Sequence, residues 1–244
     1  MKLPKIDTPI YEINLVSNNK TVKFRPFLVK EQKLFLMASE SDDPKEIVNC
    51  IKQVLSNCVL NDDVDINELS SFDLEYLFLN LRAKSVGEVV NLTYSCNNTV
   101  KNDKGDDVRC GGVVKFDVNL MEIKPTIDKE HSNKIEINKK LGVVMKYPTF
   151  NLLSDLEKKP NADIIDLIIA CVDYIYDDET IYYSKDIDKA DMLEFFDSMQ
   201  QSDFVKIEKF FKTAPKITKT LNFKCPKCSH TEDIVIEGVQ NFFG

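Results

Sequence analysis

Lys224-Cys225-Pro226-Lys227-Cys228-Ser229-His230 is the stretch whose reading decides the fold. Two thiols stand two residues apart, a proline fixes the backbone between them, and a small residue follows the second. Extended runs flank it, Ile217–Lys224 before and Ile234–Ile236 after, so the cysteines sit at the turn of a β-hairpin, as in zinc ribbons. A structural zinc ion takes four thiolate or imidazole ligands in a tetrahedron, usually two from such a turn. One pair alone is half a site.

The second pair lies upstream. Val89–Tyr94 alternates apolar and polar residues and runs into Cys96; Cys110-Gly111-Gly112 then opens a return strand, Val113–Val118. Gly111 follows the second cysteine of this pair as Ser229 follows Cys228. Cys96, Cys110, Cys225 and Cys228 are therefore the candidate ligands of one structural Zn²⁺ that brings two zinc-ribbon-like hairpins together. Thirteen residues, Asn97–Arg109, separate the first pair where two to four are usual. Loop closure costs only about 0.6 kcal/mol per doubling of length, so the insertion is tolerable. Three other readings stand beside this one. The four cysteines could be reduced and unconnected; they could form disulfides, which a reducing cytosol disfavours; or CPKC could be a redox dithiol, a motif that needs a following helix where Asp233–Ile236 is a strand. His230 could replace Cys110 as a ligand. Cys50, Cys58 and Cys171 fall on apolar helical faces and read as small buried hydrophobes.

Outward from the cysteines, the pattern is α+β. Ile10–Leu15 and Thr21–Phe24 form a hairpin across Ser17–Lys20. Helices follow over Leu28–Ser39, from Asp43-Pro44 through Cys58 (inward face Ile47, Val48, Ile51, Val54, Leu55), and over Phe72–Lys84 (inward face Leu74, Leu77, Phe78, Leu81). The second half repeats the order. Ile135–Asn138 pairs with Val143–Lys146, and helices follow at Phe150–Lys158, Asn161–Tyr174, Lys189–Ser198 and Asp203–Lys212. Aligning Cys96 with Cys225 sets Leu92 on Leu221 and Tyr94 on Phe223. The reading is a diverged duplication, two similar helix-plus-hairpin halves at residues 1–123 and 135–244 joined by a polar linker at 124–134.

The chain has 244 residues, 32 Lys plus Arg against 40 Asp plus Glu, and a net charge of −8. That balance repels phosphate backbones and opposes nucleic acid as the principal partner, leaving a zinc-ribbon nucleic-acid module as the lesser alternative. No apolar run approaches the roughly 20 residues of a membrane span. The N-terminus shows no apolar signal core, so no secretory signal is expected. Only two histidines are present, and no metalloprotease, nucleophile-elbow, phosphate-loop or dinucleotide motif occurs. The acidic pairs Asp42-Asp43, Asp62-Asp63, Asp106-Asp107 and Asp177-Asp178 read as turn and cap residues. A zinc with four thiolates has no open position for water, so the expectation is a protein without catalytic residues or small-molecule substrate.

Lys23-Phe24-Arg25-Pro26-Phe27, Lys30-Glu31-Gln32-Lys33 and the run Phe72–Glu88 (FDLEYLFLNLRAKSVGE) together resemble the baseplate hub subunits of T-even-like contractile-tailed bacteriophages. The likeness is densest over residues 22–96; in the second half CPKC is its main marker. It implies a non-enzymatic virion or tail-assembly protein, made in the host cytoplasm and used in the tail baseplate, whose partners are other baseplate and tail proteins. The alternative is an assembly chaperone for the hub that leaves before the particle matures. The Asn97–Arg109 insertion departs from the family pattern, which closes its first metal pair more tightly. In that setting Arg25, Arg82 and the terminal Phe242 and Phe243 are the candidate partner contacts.

Overall fold

In a computed structural model, residues 6–39, 44–159 and 163–238 are described. The chain is α+β with antiparallel strand pairs, and it separates into two compact units. The first takes residues up to Ile66, Phe72–Thr126 and residues from Lys216; the second takes Asn67–Ser71 and Ile127–Pro215. This division departs from the expected halves. The last cysteine-bearing hairpin belongs with the first unit, and so does Pro125–Thr126 from the expected linker. The reason is strand pairing and shared burial of the cysteines rather than chain order.

In the first unit β1 (Tyr11–Asn14) pairs with β2 (Thr21–Phe24), with Tyr11 opposite Phe24 and Asn14 opposite Thr21. The turn between them is tied to α3 (Ser71–Val86), because the buried Asp73 carboxylate accepts the Val16 N–H at 2.7 Å. Helix α3 buries most of its length, including Phe72, Leu74, Leu77, Phe78 and Leu81, so the expected inward face is inside. Helices α1 (Val29–Ser39) and α2 (Pro44–Cys58) precede it, with Val54, Leu55 and Cys58 of α2 buried. One expectation fails there: Ile47 is exposed, because α2 turns only one stripe inward. The expected cap Asp43 lies outside the described residues. After α3 come β3 (Val89–Ser95), β4 (Thr99–Lys101), β5 (Asp107–Arg109) and β6 (Val113–Asn119); β3 pairs with β6, and β4 with β5. A short strand β7 (Pro125–Thr126) adds to the terminal hairpin.

The second unit holds a four-stranded sheet. Its strands are β8 (Lys134–Glu136), β9 (Gly142–Met145), β10 (Val172–Tyr176) and β11 (Ile181–Tyr183), in the order β11-β10-β9-β8. One sheet face, with Ile135, Val143, Met145 and Ile175, forms a core with Ile168 of α5 (Ile164–Ala170), Met192 and Phe196 of α6 (Lys189–Asp197), and Ile207 and Phe210 of α7 (Gln201–Thr213). Helix α4 (Phe150–Glu157) is capped by the Thr149 side chain. The expected helix over Asn161–Tyr174 is wrong in its last turn. Helix α5 stops at Ala170, and Val172-Asp173-Tyr174-Ile175-Tyr176 is strand β10. Val172 fits the helical period after Ile168, but Tyr174, Ile175 and Tyr176 beyond it are aromatic or β-branched, and pairing with β9 wins. His131 also gains partners. Its ring stacks on Tyr147 and hydrogen-bonds Thr213 Oγ1 at 2.9 Å and Tyr147 Oη at 2.8 Å.

The terminal hairpin of the first unit closes the chain. β12 (Lys216–Lys224) pairs with β13 (Thr231–Glu237) over seven registered positions and with β7 on its other side. Two hairpins that each carry a cysteine pair thus share one unit.

Candidate metal centre

Each cysteine sits where a strand ends in a turn. The two hairpins reach their turns by the same backbone hydrogen bonds. Cys96 N–H donates to Gly112 O at 2.7 Å, and Cys225 N–H donates to His230 O at 2.8 Å. Gly111 N–H donates to Cys96 O at 3.2 Å, and Ser229 N–H to Cys225 O at 3.0 Å. In each case the acceptor or donor is one or two residues past the second cysteine. Gly111 and Ser229 also share a left-handed backbone, with φ of 62° and 60°. The loop between Cys96 and Cys110 returns by folding on itself. β4 and β5 form a hairpin turned at Gly105, and Cys110 N–H donates to Asn98 O at 2.8 Å at its base.

The four sulfurs converge. Cys96 Sγ lies 3.7 Å from Cys228 Sγ, Cys110 Sγ lies 3.6 Å from Cys225 Sγ, and all four lie within 4.8 Å of one another. Four sulfurs at about 2.3 Å from one zinc, at tetrahedral angles, would be about 3.8 Å apart. A disulfide would need about 2.05 Å, and the cysteines are free. The donor set and the spacing therefore fit a tetrahedral thiolate-binding metal ion. Cys96, Cys110 and Cys225 are buried and Cys228 is half-buried, around a small core with Phe223.

Amide groups surround the sulfurs in matching fashion. The N–H groups of Asn98 and Gly112 face Cys96 and Cys110, and those of Lys227 and His230 face Cys225 and Cys228. Burial pushes the Cys96 thiol up to about 12, against the opposing pull of the Asn98 amide. At Cys228 the His230 amide dominates over burial, with help from Asn98, and brings the thiol down to about 6. Asn98 Nδ2 reaches Cys228 Sγ at 3.7 Å, and Lys227 Nζ donates to Cys110 O at 3.0 Å, so each hairpin grips the other. Gly112 is required for a steric reason: a Cβ there would stand 2.5 Å from Cys225 Sγ. His230 points away, 3.9 Å from Glu232, and stands outside the cluster. Sequence reasoning found the four cysteines and missed Asn98, Gly112 and Lys227, whose places two residues after a cysteine were the available signal.

The other cysteines lie outside the cluster. Burial pushes the Cys58 thiol up to about 11 and the Cys171 thiol up to about 12, which keeps both protonated and apolar. Arg25 stands beside Cys58. It donates to Glu31 Oε1 at 3.0 Å and to Asn57 O at 2.9 Å, and the Glu31 carboxylate is completely buried. Burial opposes Glu31 ionisation, but the bonds from Arg25 and the Leu28 N–H hold its carboxyl below the ordinary value. Arg82 donates to Gly87 O at 2.8 Å, just past the end of α3, where a cation complements the helix dipole. Phe242 and Phe243 lie outside the described residues.

Residues 8–244 match the family described as T4 bacteriophage base plate protein. The chain belongs to that family. A curated relative, the baseplate hub assembly protein gp26 of Enterobacteria phage T4, is 21% identical over 233 residues, covering 96% of this chain and 97% of the relative. No solved structure matches the chain. Among the described residues no helix is long and apolar enough to cross a membrane.

Proposed function

We propose that this chain is a non-enzymatic part in the assembly of the baseplate hub of a contractile phage tail, built around one structural zinc ion. The family membership and the full-length likeness to a hub assembly protein support the role. The convergence of Cys96, Cys110, Cys225 and Cys228 carries the mechanism. When bound, the metal supplies a closed cross-link between two β-hairpins and offers no position for a reacting water. The protein's own groups do the rest. Amides of Asn98, Gly112, Lys227 and His230 offset thiolate charge, and the paired turns hold the flanking strands in one arrangement before a partner arrives. Preformed surfaces lose little conformational freedom on docking, so recognition is by shape.

In this reading the hairpins are zinc-ribbon-like, and the matching turn bonds support a duplicated origin for residues 1–123 and 135–244. The protein meets other baseplate and tail proteins in the host cytoplasm. Arg82 and the terminal Phe242 and Phe243 are the candidate contacts, together with Arg25, which also serves inside the fold. Elemental analysis of the purified protein tests the centre: one zinc per chain is expected, and none in Cys225→Ser. Mass spectrometry of purified virions separates a retained hub part from an assembly factor that leaves.

A further inference from the structure

The four sulfurs of the candidate centre are unequally enclosed. They form two pairs across the hairpins, Cys110 with Cys225 at 3.6 Å and Cys96 with Cys228 at 3.7 Å. The first pair is sealed. Cys110 and Cys225 are 2% and 1% exposed. Gly112 of one hairpin stands so close to the other that a Cβ on it would meet Cys225 Sγ at 2.5 Å and Lys227 Cβ at 3.1 Å. Lys227 closes the same side: its N–H donates to Cys225 Sγ at 3.4 Å and its ammonium to Cys110 O at 3.0 Å. Opening that side means parting the two hairpins.

The second pair is closed differently. Cys96 is fully buried, but Cys228 is half-buried and is followed by the exposed Ser229. From the first hairpin the Asn98 carboxamide reaches it, with Nδ2 at 3.7 Å from Cys228 Sγ. The Asn98 backbone is fixed by both cysteines of its own hairpin. Its N–H faces Cys96, and its carbonyl accepts the Cys110 N–H at 2.8 Å. Its half-exposed side chain turns about two bonds and can swing clear by a rotamer change, on the order of nanoseconds. A neutral carboxamide also holds a sulfur less firmly than a charged partner would. Such a contact closes a path without locking it.

Resting on the four-thiolate reading above, we propose that a metal ion enters and leaves this centre past Cys228, with the Asn98 side chain as the latch over that path. Cys228 is the last ligand to bind and the first to let go. On release its sulfur keeps its electron pair and turns to solvent, while the three buried sulfurs still hold the ion. The same exposure makes Cys228 the first of the four to meet a thiol-directed electrophile. Cys96, Cys110 and Cys225 become reachable afterwards. The first hairpin thus guards a ligand that the second supplies, and a site of this kind needs an entry path as well as a ligand set.

Two measurements on the zinc-loaded full chain test this. Limited reaction with N-ethylmaleimide, read by peptide mass mapping, should label Cys228 before Cys96, Cys110 or Cys225, with zinc lost in step with that adduct. Zinc release to an excess of chromogenic chelator should quicken about tenfold in Asn98→Ala. It should stay near the wild-type rate in Lys227→Ala, which loses its cross-hairpin bond on the sealed side. In Asn98→Ala the Cys228 adduct should form faster with the order of labelling kept. A thermal melt confirms that each variant is folded; Asn98→Ser replaces Asn98→Ala if the latter is not, and the wild-type labelling order needs no variant. Labelling that begins at one of the three buried cysteines overturns the proposal. Equal release from Asn98→Ala and wild type, or equal quickening in both variants, overturns the latch. A wild type that carries no zinc refutes the centre itself.

Discussion

The two cysteine hairpins of the first unit differ in the length between ligands and agree in nearly everything else. Cys225 and Cys228 are separated by two residues, Cys96 and Cys110 by thirteen. Yet both turns share the same amide-to-carbonyl bonds, the same left-handed residue after the second cysteine, and the same pattern of amides facing sulfur. The spacing that looks irregular in sequence is a second hairpin, β4–β5, grown out of an unchanged turn. Ligand geometry is set by the last few bonds around each cysteine, and the chain between the ligands is free to vary. Long insertions are inexpensive when their ends are already held.

The comparison can be broken most directly at the proposed zinc and its ligands. Chelation or Cys225→Ser should cost the first unit several kcal/mol, a large share of the about 5–15 kcal/mol a domain possesses. Two-transition calorimetry should show the first unit's transition falling while that of the second unit stays. Coincident loss of both would deny the metal a local role.

Steric crowding gives the next effect. Gly112→Ala places a Cβ 2.5 Å from Cys225 Sγ, so zinc affinity should fall on the order of 10–100-fold in a competition with a chromogenic chelator. An unchanged affinity would mean the turns are looser than their bonds imply. Replacing Asn97–Arg109 by Pro-Lys sharpens the comparison itself, making the first pair a copy of the second. Zinc content should stay at one per chain, with stability raised by about 1–2 kcal/mol from the shorter loop. Loss of zinc would show that β4–β5 positions Cys96 and Cys110.

The smallest effects come from the left-handed residues. Ser229→Gly should stabilise by up to about 1 kcal/mol and Gly111→Ala should destabilise by a similar amount, read as opposite shifts in denaturant midpoint. Equal signs for the two would break the equivalence of the turns.

Much of the fold was legible where one local force dominates. Val54, Leu55 and Cys58 follow a helical period, and Val89–Tyr94 and Ile217–Lys224 alternate toward their cysteines; those elements are present as read. The errors lie where two local patterns compete. Val172 satisfies both the helix that ends at Ala170 and the strand that follows, and only pairing with Val143 and its neighbours in β9 resolves it. β11 escaped notice because three residues carry too little pattern to stand out from the turn beside them. Of the candidate centre, the cysteines were legible from residue type and context. The amides of Asn98 and Lys227 stand at a readable place, two residues after a cysteine, but their side-chain contacts were not legible, because these run between hairpins over a hundred residues apart in sequence.

By itself the sequence determined the chemistry available: four thiols at strand ends, few groups able to carry catalysis, and an acidic surface. Those properties belong to side chains and short periodic runs, which local physics governs. Only the tertiary structure decided that the terminal hairpin joins the first unit, and which backbone amides meet which sulfur. Such choices depend on burial and pairing between distant segments, and no local stretch of the chain contains both partners.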